Sequence, residues 1–515
     1  MKRSEFCLKT RTLLMAMLMV FSSVAITSCG GGGGKTDDNG KITPEPPTPS
    51  VSSACELSTF QFKAANNPGL ANNPSAVIAT IQNRNLVLIT VPETTDITKL
   101  VPTFNLSSKA TAKMAGAAAT SGVTAANFTG DVEFVVTAED GKHSKYYLIL
   151  VRKGNAEMDA QVYSIMKKYN IPGISVATTK KEKLAYAAGY GYANIDASPK
   201  VRVTPTMLFR LASVSKFQCA VCIMSLFEDG LLSPDDYVFA PANANGAGSK
   251  EGILQSMYPG AHASGVDKIR VRDLLTHRSG WQYATTGGVD PIFTGDSRFY
   301  GKTLKQRVEY MVNTPVSNTP GTVYSYYNLG YCVLGQIVEQ VTGGTYEAYL
   351  KQVEAKAGVT DVWIAKNSKN ERRENEVCYY AQQSTDAYQN DMKVVAACGA
   401  VINSAVNLMQ LVCALDYGTV VPDILQPETL DMMYTNYTSS SPGGYGFGWR
   451  IGHSTLTNWA SYHGGNINGT ATIIVRGKNG VHGVLLCNSR SYIDDFDTAL
   501  YVGLNAIMNQ VNSVY

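Results

Sequence analysis

The apolar positions of the chain change their spacing several times, and each change marks a different kind of segment. Residues 13–26 form an almost unbroken apolar run behind Lys2, Arg3, Lys9 and Arg11. The run is short of the roughly 20 residues that cross a bilayer. A basic start, a short apolar stretch and small residues up to Cys29 have the layout of a secretory signal. Residues 30–54 are rich in Gly, Asp, Pro and Ser and read as a flexible tether. Between residues 55 and 152 short β-rich runs recur at 59–63, 86–91, 132–138 and 146–151. Turn signals such as Asn72-Asn73-Pro74 and Asp140-Gly141 separate them. That spacing predicts a small antiparallel, all-β sandwich.

From residue 153 to 515 the pattern is mixed. Val162, Ile165, Met166 and Tyr169 have helical spacing, ended by Pro172-Gly173. Strands are expected at 174–178 and 184–191, helices over most of 215–415, strands again at 445–451, 471–475 and 483–488, and a closing helix at 494–510. Strands at both ends and helices between them predict one sheet built from the two ends of the domain. The helical insertion then packs against it as a subdomain and leaves a cleft. The chain is thus expected to be multidomain: an all-β sandwich followed by an α+β domain with an antiparallel sheet flanked by helices.

Composition narrows the function. Apolar residues are 44% of the 515 and charged residues 17%, enough for a large core, and the formal net charge of +3 offers no basic surface for nucleic acid. Export permits disulfides, but most of the cysteines sit in apolar runs, so buried thiols are the expectation. Cys219 and Cys222 have a metal-like spacing without a second pair or a nearby His, and no metal site is expected. The first 29 residues resemble a bacterial lipoprotein signal, which implies lipidation at Cys29, membrane attachment through that lipid, and a place in the Gram-negative cell envelope, periplasmic or at the outer-membrane surface. Residues 55–152 resemble an immunoglobulin-like module of exported lipoproteins, which fits a spacer or a cell-wall or glycan contact.

Chemistry concentrates in three stretches. Ser213-Val214-Ser215-Lys216 places a hydroxyl and an amine three residues apart, which meet on one helical face. A serine needs such a base, and burial is expected to lower the Lys216 ammonium so that it accepts the proton. Ser164-Ile165-Met166-Lys167 shares the spacing but lies among mid-helix core positions, whereas Ser213 opens an apolar helix after an extended run. Tyr326-Tyr327-Asn328 adds a phenol that shares its proton with the lysine and an amide that orients substrate. Tyr192, Tyr388 and Tyr434 begin the same triplet, but only Tyr326 is delivered by a Pro320-Gly321 turn before a helix. In His463-Gly464-Gly465-Asn466 the glycines allow close backbone approach, and the His is expected to fix a carboxylate or assist proton transfer; read alone, the stretch is equally a tight turn with a surface His.

In this order the three stretches resemble the serine β-lactamase and penicillin-binding protein superfamily, closest to its class C branch. Phe209-Arg210-Leu211-Ala212, Thr276-His277-Arg278-Ser279-Gly280 and Tyr445-Gly446-Phe447-Gly448-Trp449 match as well. The resemblance implies an acyl-enzyme at Ser213, proton shuttling by Lys216 and Tyr326, substrate orientation by Asn328, and an oxyanion site at the Ser213 and Asn466 N–H groups. It assigns His277 a loop-fixing role and requires no cofactor. Many β-lactamases carry Lys-Thr-Gly where this chain has His463-Gly464-Gly465, so D-amino-acid peptides and esters are favoured over β-lactams as the small substrate. The alternative is a catalytically silent receptor for cell-wall peptides.

Overall fold

The computed structural model describes residues 51–70, 73–81, 84–92, 94–293, 295–383 and 386–514. Cys29, the signal and nearly all of the tether lie outside these described residues.

The first part holds eight strands, β1 (Leu57–Phe62), β2 (Val77–Ile81), β3 (Arg84–Val91), β4 (Pro102–Leu106), β5 (Thr111–Met114), β6 (Ala117–Ala119), β7 (Val132–Thr137) and β8 (Ser144–Lys153). β1 pairs with β4, and the others form one sheet in the order β2-β3-β8-β7-β5-β6. Val132, Phe134 and Val136 alternate with more exposed neighbours along β7, so one face turns inward. There Phe60, Phe62, Phe104, Phe128 and Phe134 meet, mostly edge to face. β3 and β8 run parallel, a departure from an all-antiparallel sandwich. Parallel neighbours need a long crossover, and the intervening chain with β4 to β7 supplies it.

The second part begins with α1 (Ala156–Tyr169), whose start is capped by the Asn155 side chain accepting from the Glu157 and Met158 N–H groups. β9 (Gly173–Lys180), β10 (Lys183–Asn194), β11 (Val201–Arg202) and the short β12 (Phe209–Arg210) follow. The helical stretch contains α2 (Ser215–Glu228), α3 (Val271–Leu275), α4 (Leu304–Val312), α5 (Asn328–Thr342) and α6 (Tyr346–Lys356), then β13 (Trp363–Ile364), α7 (Ala396–Gly399), β14 (Val401–Asn403), α8 (Ala405–Cys413) and α9 (Pro427–Tyr434). β15 (Gly444–Tyr445), β16 (Arg450–Ile451), β17 (Trp459–Ile467), β18 (Thr470–Gly477), β19 (Val481–Cys487) and α10 (Phe496–Val514) close the chain.

The large sheet has the order β11-β10-β9-β19-β18-β17-β16-β15, and the late strand β19 lies against the early strand β9. Successive residues of its central strands serve opposite faces, as strand geometry requires. Val176, Ile473 and Leu485 pack under α1 and α10 with Val162, Leu500, Leu504 and Ile507. Ala177, Ile474, Leu486 and Val484 face the helical layer with Leu408, Val412 and Phe217. Burial on both faces explains why these strands read as continuous apolar runs.

Two sequence expectations change. The expected strand at 445–451 is two short strands around a turn at Gly446–Trp449. The apolar pattern does not predict β17 at all, because Gly464 and Gly465 interrupt it and glycine disfavours a strand interior.

Candidate active site

β12 leads through Leu211 into a single turn of 3-10 helix, Ala212–Val214, ahead of α2. Leu211 is tied on both sides. Its N–H donates to the Val401 carbonyl at 2.9 Å, and its carbonyl accepts from the Thr472 hydroxyl at 2.7 Å. Ala212, fully buried, holds φ at +47°, a conformation that costs a non-glycine residue and persists only when the surroundings impose it. Ser213 is thereby presented half-buried at the mouth of the helix.

One turn on, Lys216 is fully buried. Its ammonium donates to Ser213 Oγ at 3.0 Å and to the Cys398 carbonyl at 2.8 Å. The Nζ atom stands 5.0 Å from the centre of the Tyr326 ring. Burial works against the Lys216 ammonium, while the Tyr326 oxygen and the nearby sulfurs of Cys398 and Cys332 favour it, and the net direction is upward. The expectation that burial lowers the Lys216 ammonium is therefore corrected: the Tyr326 oxygen and the neighbouring sulfurs outweigh desolvation.

Tyr326 precedes α5 and is clamped by His277. The His277 carbonyl accepts from Ser325 N at 2.8 Å, its Nδ1 accepts from Tyr327 N at 3.2 Å, and its ring lies 4.3 Å from that of Tyr326. Burial, with Lys216, His463 and Arg450 nearby, drives His277 well below the usual histidine range. It is a neutral acceptor that fixes the loop. The Asn328 side chain donates through Nδ2 to Asp290 at 2.6 Å, and its Oδ1 is buried without a partner. The amide is thus anchored by Asp290 with a free acceptor.

β17 forms the opposite wall. At Gly465 a side chain would meet the Leu211 carbonyl and the Thr472 hydroxyl at 2.3 Å and Ser213 N at 3.0 Å, so only glycine lets the strand pass this close. The N–H of Gly452 donates to the Ala460 carbonyl, and Arg450 pairs with Tyr462. By alternation the main-chain groups of Gly464 and Asn466 point off the same edge, where β16 has ended. The Asn466 N–H thus points off that free edge, one residue from the Gly465 approach to Ser213 N, an arrangement suited to an oxyanion.

His463 does not lie on a surface turn. It is buried in β17, with Nε2 bonded to the Tyr445 hydroxyl at 2.8 Å and Nδ1 to the Gly464 carbonyl at 2.7 Å. Burial and the Lys216 and Arg450 charges hold it well below the usual histidine range. Both ring nitrogens are occupied and the ring is neutral, so the expected carboxylate-fixing cation is not His463. A second cation near the site, Arg450, is not anticipated from the sequence. It faces the phenols of Tyr324, Tyr445, Tyr462 and Tyr326, and among the described residues no carboxylate forms an ion pair with it. A run of Gly and aromatic residues gives no sign that an arginine at the end of Tyr445–Trp449 is folded back beside Tyr326.

Similarity to known proteins covers both parts of the chain. The family model described as Beta-lactamase matches residues 158–506, and one described as SGBP, N-terminal matches residues 70–151. Protein flp of Staphylococcus aureus (strain MW2) is 26% identical over 218 residues, covering 42% of this chain and 37% of that protein. A putative D-alanyl-D-alanine carboxypeptidase of Escherichia coli O157:H7 is 25% identical over 323 residues, covering 56% of this chain and 70% of its own length. The match thus spans little more than a third of the first relative. The D-amino acid amidase of Ochrobactrum anthropi SV3, solved with L-phenylalanine amide, superposes with a TM-score of 0.53 over 70% of this chain and 100% of its own, at 21% identity, a likeness of fold.

Proposed function

Because this chain belongs to the beta-lactamase family, we propose that it is a serine hydrolase that cleaves a small amide or ester through an acyl-enzyme on Ser213. The observation that carries the reading is the 3.0 Å approach of Lys216 Nζ to Ser213 Oγ beside the Tyr326 phenol. Ser213 Oγ attacks the carbonyl carbon, and its proton passes to the Lys216–Tyr326 pair. The oxyanion is held by the N–H groups of Ser213 and Asn466. Collapse expels the amine or alcohol, which takes the proton from the pair. Water then attacks the ester by the same route and frees the acid. Asn328, anchored by Asp290, orients the substrate through its free Oδ1.

The unpaired Arg450 favours a substrate with a carboxylate next to the scissile bond, since a half-buried guanidinium binds that group well. A peptide ending in a D-amino acid has this form, and two of the similar proteins are named for D-amino-acid chemistry. D-amino-acid peptides and esters are therefore proposed ahead of β-lactams. Lipidation at Cys29, attachment to the cell envelope, and a spacer or contact role for residues 55–152 belong to the same proposal.

The test is labelling with a fluorophosphonate, followed by turnover of a D-Ala-D-Ala peptide and of an ester. Wild type should label and turn over, and Ser213→Ala should do neither. Labelling that persists in Ser213→Ala refutes the assignment, and acylation without any turnover makes the protein a receptor instead.

A further inference from the structure

Beyond Asn466 the edge of β17 borders a cleft of about 420 Å³. Asn466 itself lines it, next to Gly465 at Ser213 N. On the other side stands Phe293, whose ring lies 3.4 Å from the position of a side chain at Gly399, which itself packs on Ala212. The remaining wall is mostly polar, with Gln389, Asn390, Asn468, Arg490 and Tyr492 beside Ile467.

Arg490 is the charge in that wall. Its Nη1 is buried without a hydrogen-bond partner, and its Nη2 stands 3.6 Å from Asp497, beyond hydrogen-bond length. The exposed Tyr492 ring covers the guanidinium at 5.3 Å and is itself held by its hydroxyl donating to Asn468 at 2.5 Å. Asp497 is shared, because it also accepts from the Asn466 side chain at 3.3 Å. A guanidinium with unspent donors, set among side-chain amides, matches a carboxylate-bearing, amide-containing group.

Direction along β17 tells which part of the substrate arrives. Arg450 pairs with Tyr462, four residues before Asn466, and the cleft lies past Asn466. A substrate lying along this edge with its scissile carbonyl at Ser213 has one end at Arg450 and the other in the cleft. Resting on the preceding reading, which puts the leaving group at Arg450, we propose that the cleft receives the acyl part of the substrate and that Arg490 selects an acyl group carrying a second carboxylate, as an acidic peptide does.

The test uses two thioesters of D-alanine with the same thiol leaving group, one N-succinyl and one N-butanoyl, on the intact chain. Wild type should prefer the succinyl compound by about tenfold or more in kcat/KM, the scale of one charge-assisted hydrogen bond. Arg490→Gln should bring the ratio close to one with butanoyl turnover kept, and Arg490→Lys should retain part of the preference. Equal turnover by wild type, or a preference that survives in Arg490→Gln, overturns the acyl-group assignment and leaves the hydrolase standing. Failure of wild type to cleave either compound, or cleavage undiminished in Ser213→Ala, overturns the hydrolase reading and this inference with it.

Discussion

The α-carbon of Gly465 lies so close to the nucleophile segment that a methyl group on it would stand 3.0 Å from the peptide nitrogen of Ser213. Strand β17 and the turn before α2 are thus in main-chain contact, with the Thr472 hydroxyl and the Leu211 carbonyl locking the same junction.

Gly465→Ala should therefore disable the enzyme without unfolding it. The methyl must push the Leu211 carbonyl, a main-chain atom, and so displace Ser213 from the Asn466 N–H. A loss of about 10²-fold or more in kcat is expected, the scale of one oxyanion donor. Gly464→Ala is the comparison, because its methyl meets only the tip of the Tyr501 side chain. Steady-state kinetics and circular dichroism of the two variants check this, and equal damage from both would count against it.

The upward direction at Lys216 sets the pH dependence. Taking the Ser213 proton requires Lys216 to be free of its own, and lowering the pH fills it, so kcat/KM should fall toward acid. Lys216 keeps its proton to above the usual lysine value, so no alkaline loss should arise from it up to about pH 9. Tyr326→Phe removes the oxygen that favours the ammonium and should lower kcat by about 10²-fold to 10⁴-fold. A rate profile that is level from about pH 5 to 9 would exclude the pair as the base.

Glu354, wholly buried beneath α2, makes the stability of the fold depend on pH. Burial pushes it up to about 8, against hydrogen bonds from Gln218 and Asn403 that pull it down. The unfolded chain titrates near the usual 4.5, so the folded state binds this proton more tightly. The stabilisation is complete below the unfolded value and is lost as pH rises through about 8. Glu354→Gln should remove a dependence on the order of a few kcal/mol, and Gln218 has an unpartnered Oε1 to receive the new amide. Urea unfolding at pH 5, 7 and 9 should show wild type weakening with pH and the variant changing less.

Among the eight free cysteines of the described residues, Cys55 is half-buried and the other seven are buried. Burial drives Cys222 and Cys332 well above the usual thiol value and Cys413 to about 12. Among these eight, a disulfide reagent should find one fast thiol in the native protein, and Cys55→Ser should abolish its reaction. Fast reaction at more than one of these thiols would contradict the packing of α2 and α5.

Relationships between near neighbours are legible in the amino-acid sequence. Ser213 and Lys216 are three residues apart, so backbone geometry alone brings them together. The same holds for the alternation of β7 and for the apolar runs of β9, β18 and β19. Choosing Tyr326 among four Tyr-x-Asn triplets needs only the Pro320-Gly321 turn before α5. β17 is hidden because close approach to Ser213 demands the two glycines that erase a strand's pattern.

The charges of the site are another matter. Whether Lys216 gains or loses affinity for its proton depends on the Tyr326 oxygen and on Cys332 and Cys398, more than a hundred residues away in the chain. His463 reads as a carboxylate-fixing or proton-transferring side chain, and only burial, with the Lys216 and Arg450 charges, shows it to be held well below the usual histidine range. By itself the chain determined the apolar-patterned strands and helices and the pairing of nucleophile with amine, because these follow from neighbours along the backbone. Only the tertiary structure decided the protonation, polarity and reach of the cleft, because electrostatic energies depend on distance and burial in space, which spacing along a sequence does not record.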